Sequence, residues 1–103
     1  MIMEVVYLGR DNTIDLKLLA DGVAVDLAPV TRMVLMIETT VIDSTTTPSA
    51  FDWDTGVTGK IILFLGNTDG LPPGKYKSTL IVYDASNPNG LVWSQFALYI
   101  DEI

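Results

Sequence analysis

The chain has 103 residues, 49% of them apolar, with no cysteine and no histidine, and its six basic against thirteen acidic residues give a net charge of −7. That length suits one domain, 1–103, with one core, while the missing residue types exclude disulfides, thiolate chemistry and imidazole acid–base or metal chemistry. Six scattered basic residues do not neutralise a nucleic-acid backbone, and no apolar run exceeds the five residues Met33–Ile37, against the ~18 that span a bilayer, so neither nucleic acid nor membrane is expected as a partner.

The elements expected are strands, because no window keeps helical spacing between a cap and a stop signal. Met1 to Leu8 is apolar except for Glu4. It lacks the basic region and cleavage site of a signal peptide, and suits a first strand or an arm that docks on a neighbour. From Asn12 to Ala20, residues Ile14, Leu16 and Leu18 share one face by alternation. Asp21-Gly22 then predicts a tight hairpin turn, and Val23, Val25 and Leu27 line one face of the returning strand. Arg32 to Ile42 reads as one central strand, and the polar Asp43 to Ala50 as a surface loop.

Phe51 and Trp53 face one way and Asp52 and Asp54 the other. Thr55 to Gly59 turns the chain, and Ile61, Leu63 and Leu65 align on the next strand. In TDGLPPGKYKSTLIVYD, Thr68 to Asp84, the adjacent prolines and Gly74 make a turn rather than a polyproline ligand, which needs P-x-x-P spacing in an extended tract. The strand from Lys75 to Asp84 follows, with Tyr76 as a core tyrosine. A turn over Ser86 to Gly90 leads to the last strand, where Phe96, Leu98 and Ile100 form one face.

Seven to eight short strands with hairpin-like links give an all-β fold, an antiparallel β-sandwich or barrel. Met33–Ile37, Ile61–Leu65 and Thr79–Tyr83 are apolar on both faces. This signals either barrel-like burial or a surface that docks another chain.

Catalytic and cofactor signals are absent. Asp52-Trp53-Asp54-Thr55-Gly56 opens like a calcium loop, but the twelfth position, which needs a bidentate Glu, is Leu63. An edge strand with solvated carboxylates explains it better. Thirteen acids include no pair set apart for glycoside cleavage, and the Ser and Thr hydroxyls have no histidine partner. No enzyme activity and no cofactor are expected. Trp53, Trp93, Tyr7 and Tyr99 suit core positions or a sugar-stacking surface. Alternation places Trp93 and Tyr99 opposite Phe96 and Leu98, where they suit a protein interface.

The order LLADGVAVDLAPV, MVLMIE, TGVTGKIILFL, LPPGKYKSTLIVYD and LVWSQFALYIDE resembles small tailed-phage proteins of the baseplate upper protein N-terminal type. The resemblance runs from Asn12 to Ile100 and implies an immunoglobulin-like antiparallel β-sandwich. It also implies a structural virion protein of tail or baseplate, acting by protein–protein assembly as a homo-oligomer and with other virion proteins. The family offers no catalytic residues. The interface residues expected are Met1, Ile2, Met3, Val5 and Tyr7 on a docking strand, with Trp93 and Tyr99 on the last strand. A capsid decoration protein and a module binding a host surface glycan are the alternatives.

Overall fold

The computed structural model describes residues 3–53, 58–67 and 72–102. Met1 and Ile2, residues 54–57 in the calcium-loop stretch, and residues 68–71 before the two prolines lie outside the described residues. The fold is nearly all β. In chain order the strands are β1 (Met3–Tyr7), β2 (Ile14–Lys17), β3 (Leu19–Ala20), β4 (Val23–Ala24), β5 (Val30–Ile37), β6 (Thr40–Asp43), β7 (Phe51–Trp53), β8 (Lys60–Leu63), β9 (Gly74–Asp84) and β10 (Asn87–Asp101). One turn of 3₁₀ helix, Pro48–Ala50, precedes β7.

The strands form a five-stranded sheet in the order β1-β10-β9-β5-β6, a three-stranded sheet in the order β2-β8-β7, and the small hairpin β3-β4. The two larger sheets share one apolar core. The five-stranded sheet contributes Val6, Met33, Leu35, Ile37, Ile42, Leu80, Val82, Phe96, Leu98 and Ile100; the smaller sheet and its flanks contribute Ile14, Leu18, Phe51, Ile61, Leu63 and Leu65. Alternation accounts for these choices, since each strand sends every second side chain inward. The arrangement is sandwich-like.

Several expected elements are present. Asp21 and Gly22 take φ of 51° and 79°, the left-handed pair of a tight hairpin turn. Ile14 and Leu18 are buried and Leu16 is half-buried. Ile61, Leu63 and Leu65 are buried, as are Phe96, Leu98 and Ile100. Tyr76 packs against the core, and its hydroxyl donates to the Pro72 carbonyl at 2.7 Å. Pro72, the first of the two prolines, is thus tied to the strand that follows.

Four features differ from expectation. The sheets are not all antiparallel, because β1 lies parallel to β10, with Met3 beside Ala97 and Tyr7 beside Asp101. β1 hands the chain to β2 in the opposite sheet, so no hairpin dictates its direction. The run from Arg32 to Ile42 is two strands, joined by a turn at Glu38 and Thr39. Val23 to Leu27 is strand only at Val23–Ala24. The Asp26 carboxylate accepts from the Ala28 N–H at 3.0 Å and Val30 N–H donates to the Leu27 carbonyl at 3.1 Å, so the chain bends there. Finally, Asn87 already pairs with Asp84, and Pro88 to Gly90 sit in a register irregularity inside β10 rather than in the turn.

Ser78 lies in the middle of this core. It is fully buried, flanked across the sheet by Ile37 and Phe96, and its hydroxyl has no hydrogen-bond partner among the described residues. A buried unpaired hydroxyl costs roughly 1–3 kcal/mol of desolvation. Ser78→Ala removes it with almost no change of volume. The expected outcome is a stabilisation of about 1 kcal/mol, read as a higher urea midpoint at unchanged slope.

A candidate assembly surface on the five-stranded sheet

The residues that alternate with the core residues form the outer face of the five-stranded sheet. The register defines its rows. Val5, Tyr99 and Lys75 stand side by side on β1, β10 and β9; Gln95, Thr79, Met36 and Val41 make a second row across β10, β9, β5 and β6; Val92, Ile81, Val34 and Asp43 make a third. Val34 and Ala97 are buried yet stand apart from the core cluster, as expected of side chains covered by neighbours on this outer face. Met36, Val41 and Val92 remain 36%, 56% and 65% exposed.

The outer face of the three-stranded sheet is different. There the exposed Asp15, Lys17, Asp52 and Lys60 surround Ile62. One outer face is therefore charged and solvated, while the other carries an apolar strip. The two-faced apolarity of Met33–Ile37 and Thr79–Tyr83 belongs to that strip.

An ion-pair cluster and a mainly apolar groove frame it. At one end the Arg32 guanidinium grips Asp43, with Nε 3.0 and 3.1 Å from the two carboxylate oxygens and Nη2 on Oδ2. It also stands 4.6 Å from the centroid of the Tyr83 ring. Asp43 accepts in addition from Thr45 N–H at 3.0 Å and from Thr45 Oγ1 at 2.8 Å. The Arg32 hydrogen bond, followed by the Thr45 N–H, holds the Asp43 carboxyl well below the usual carboxylate range. The same pairing raises Arg32 above its ordinary value.

A carboxyl depressed in the fold stabilises it fully above its unfolded value of about 3.8; that contribution is lost as pH falls through the folded value. Asp43→Asn is expected to lower stability at pH 7 and to flatten its decline below about pH 4, measured by urea titrations across that range. An acid limb as steep as in the wild type would contradict the pairing.

At the other end Val5, Tyr7, Pro73, Gly74, Lys75, Tyr99, Ile100 and Asp101 line an open groove of about 700 Å³. Lys75 Nζ lies 5.7 Å from the Tyr99 ring centroid. The groove brings together three of the residues singled out from sequence: Val5, Tyr7 and Tyr99. Met3 is in β1, paired with Ala97. Trp93 is elsewhere. A register shift between Val92 and Ser94 makes it the extra residue of a bulge, and it packs against the core. Plain alternation carried Trp93 to the outer face with Tyr99; the bulge breaks that alternation. Trp53 also packs against the core. Sequence reasoning missed Lys75, Met36, Val41 and Val92, whose grouping depends on strand order.

A second cavity, of about 470 Å³, lies among Arg10, Asp11, Asn12, Thr40, Phe64 and Asn67. Its lining is mixed, with Val41, Ile42 and Ala50 beside the polar residues, and Phe64, its aromatic residue, is 43% exposed. No protein-family model matches the chain, and no curated protein matches it at a significant level.

Proposed function

We propose that this chain is an immunoglobulin-like structural protein of a tailed-phage virion, assembling with copies of itself and with other virion proteins at tail, baseplate or capsid. The observation that carries the assembly part is the exposed apolar strip of Met36, Val41 and Val92 on one outer face, opposite a charged face on the other sheet. Exposed apolar patches of this kind mark interaction sites.

The immunoglobulin-like part is supported by strand order. The β2-β8-β7 sheet follows the B-E-D order of such domains, and β10-β9-β5-β6 follows G-F-C-C′. Tyr76, near the start of the strand in the F position, bonds back to the Pro72 carbonyl in the manner of a tyrosine corner. The phage part is supported by the resemblance of the segment order from Asn12 to Ile100.

Mass spectrometry of purified particles from a phage that encodes the chain tests the reading. The wild type is expected in the particles at structural copy number. The double substitution Met36→Lys with Val41→Lys is expected to fold and yet to be lost from them, because burying two ammonium groups in an interface is costly. Absence of the wild type from particles, with the protein abundant in the lysate, overturns the reading. The cavity beside Phe64, where an exposed aromatic ring meets Arg10, Asp11, Asn12 and Asn67, supports a second one, a module for a host surface glycan. A glycan-array signal lost on Phe64→Ala and kept in Met36→Lys, which lies outside the cavity lining, would put that reading first.

A further inference from the structure

We infer that β1 is a self-pairing edge, through which two copies of the chain join their five-stranded sheets across a two-fold axis. The inference rests on the reading of this sheet as an assembly surface and names its partner: a second copy of the same chain.

The free edges of the sheets differ in how they are guarded. Native edges are blunted by shortness, charge, proline or bulges. β2 carries the exposed Asp15 and Lys17. β7 has three residues and follows a 3₁₀ turn that begins at Pro48. β6 has four residues and closes at Asp43, whose carbonyl accepts from Thr46 and Thr47 N–H. β1, MEVVY, has five residues, no proline, no lysine and no register shift against β10.

Its backbone polarity is fixed by the parallel ladder. Leu8 N–H donates to the Asp101 carbonyl at 3.0 Å, so Val6 and Glu4, in phase with Leu8, direct both backbone groups toward β10. The N–H and C=O of Val5 therefore point away from the sheet, as do Tyr7 N–H and the Met3 carbonyl. β1 pairs with no strand other than β10 among the described residues.

The strand is self-complementary about Val5. In an antiparallel two-fold register Val5 opposes Val5 of the second copy, Met3 opposes Tyr7, and Glu4 opposes Val6. The outward groups then meet as about four backbone hydrogen bonds. Glu4, the one charged residue of β1, faces valine rather than its own copy, so no like charges sit directly opposite. A residue contacting its own counterpart at the centre is the signature of an isologous interface. Each copy brings its Val5, Tyr7 and Tyr99 groove to the junction.

The chain has no cysteine, so Val5→Cys gives a clean test. Residues opposed in this register lie about 5.5 Å apart at Cα, within disulfide reach. Mild oxidation of the purified Val5→Cys chain is expected to give a disulfide-linked dimer in high yield, with Val41→Cys as a control that does not cross-link. Sedimentation equilibrium of the wild type is expected to show dimers that strengthen with added salt, since each copy carries −7. Val5→Lys, checked for folding by its melting transition, is expected to weaken the dimer by at least about tenfold.

A wild type that stays monomeric at high concentration, with no Val5→Cys cross-link, overturns the inference. The assembly reading survives that result if the wild type is still found in particles and the double lysine variant is not. Cross-linking through Val41→Cys alone also overturns it, and places the second copy on the apolar strip.

Discussion

Gly59→Ala is expected to destabilise the fold by about 3 kcal/mol or more, combining left-handed backbone strain with a clash. Gly59 has φ of 64° and is buried. A Cβ built on it would sit 2.3 Å from the Leu18 carbonyl oxygen and 3.2 Å from the Leu18 nitrogen. These are backbone atoms and have no rotamer through which to yield. The approach is close because Leu18 N–H donates to the Gly59 carbonyl at 2.8 Å, which carries the β2–β8 pairing one residue beyond its last bridge. The substitution therefore strains the backbone and pushes β2 away from β8 together. For a domain of ordinary stability, about 5–15 kcal/mol, that is a large share of the total. Urea unfolding followed by tryptophan fluorescence measures it. A loss below about 1 kcal/mol would show that the turn relaxes and that the close approach is unimportant.

Phe96→Ala is expected to cost about 3–5 kcal/mol, the range for a large aromatic deleted from a closed core. Phe96 is 1% exposed and belongs to the cluster shared by both sheets. Its cross-strand neighbour is Ser78, which is too small to fill the space left behind. The same urea experiment reads the loss. Combining Phe96→Ala with Ser78→Ala is expected to depart from additivity, because the two positions are in contact across the strands. Additive effects would show that the vacated space collapses without involving Ser78.

The legible part of this fold is local. Asp21-Gly22 announces its hairpin because few residue pairs accept two positive φ values. Ile61, Leu63 and Leu65 announce an inner face because the strand period is two. The Glu38-Thr39 turn carries no such mark. Glu38 sits at φ 53° and is held there by tertiary contacts: its N–H donates to the Lys77 carbonyl at 3.1 Å, and its carboxylate accepts from Lys77 N–H at 3.3 Å. The partner is thirty-nine residues away, beyond the reach of any window on the sequence. The same reason hides the bulge at Trp93, which is a property of how β10 lies against β9.

The candidate surface was legible only in pieces. Val5, Tyr7 and Tyr99 were visible as residue types on strands, and the doubled apolarity of β5 and β9 was visible as composition. Their union on one outer face required the order β1-β10-β9-β5-β6, which alternation within single strands does not encode. Met36 and Val41 are neighbours only because β6 folds back on β5 at the unmarked turn.

The parallel pairing of β1 with β10 has a kinetic consequence. It joins the first and last strands of the described chain, so its loop-closure cost is the greatest of any pairing among the described strands. During synthesis β1 leaves the ribosome before β10 and cannot make this pairing until β10 follows. Contacts of such high sequence separation form late, so substitutions in β1 act mainly on the unfolding rate and little on the folding rate. In the interval both edges of β1 are open to pairing, the inner one included.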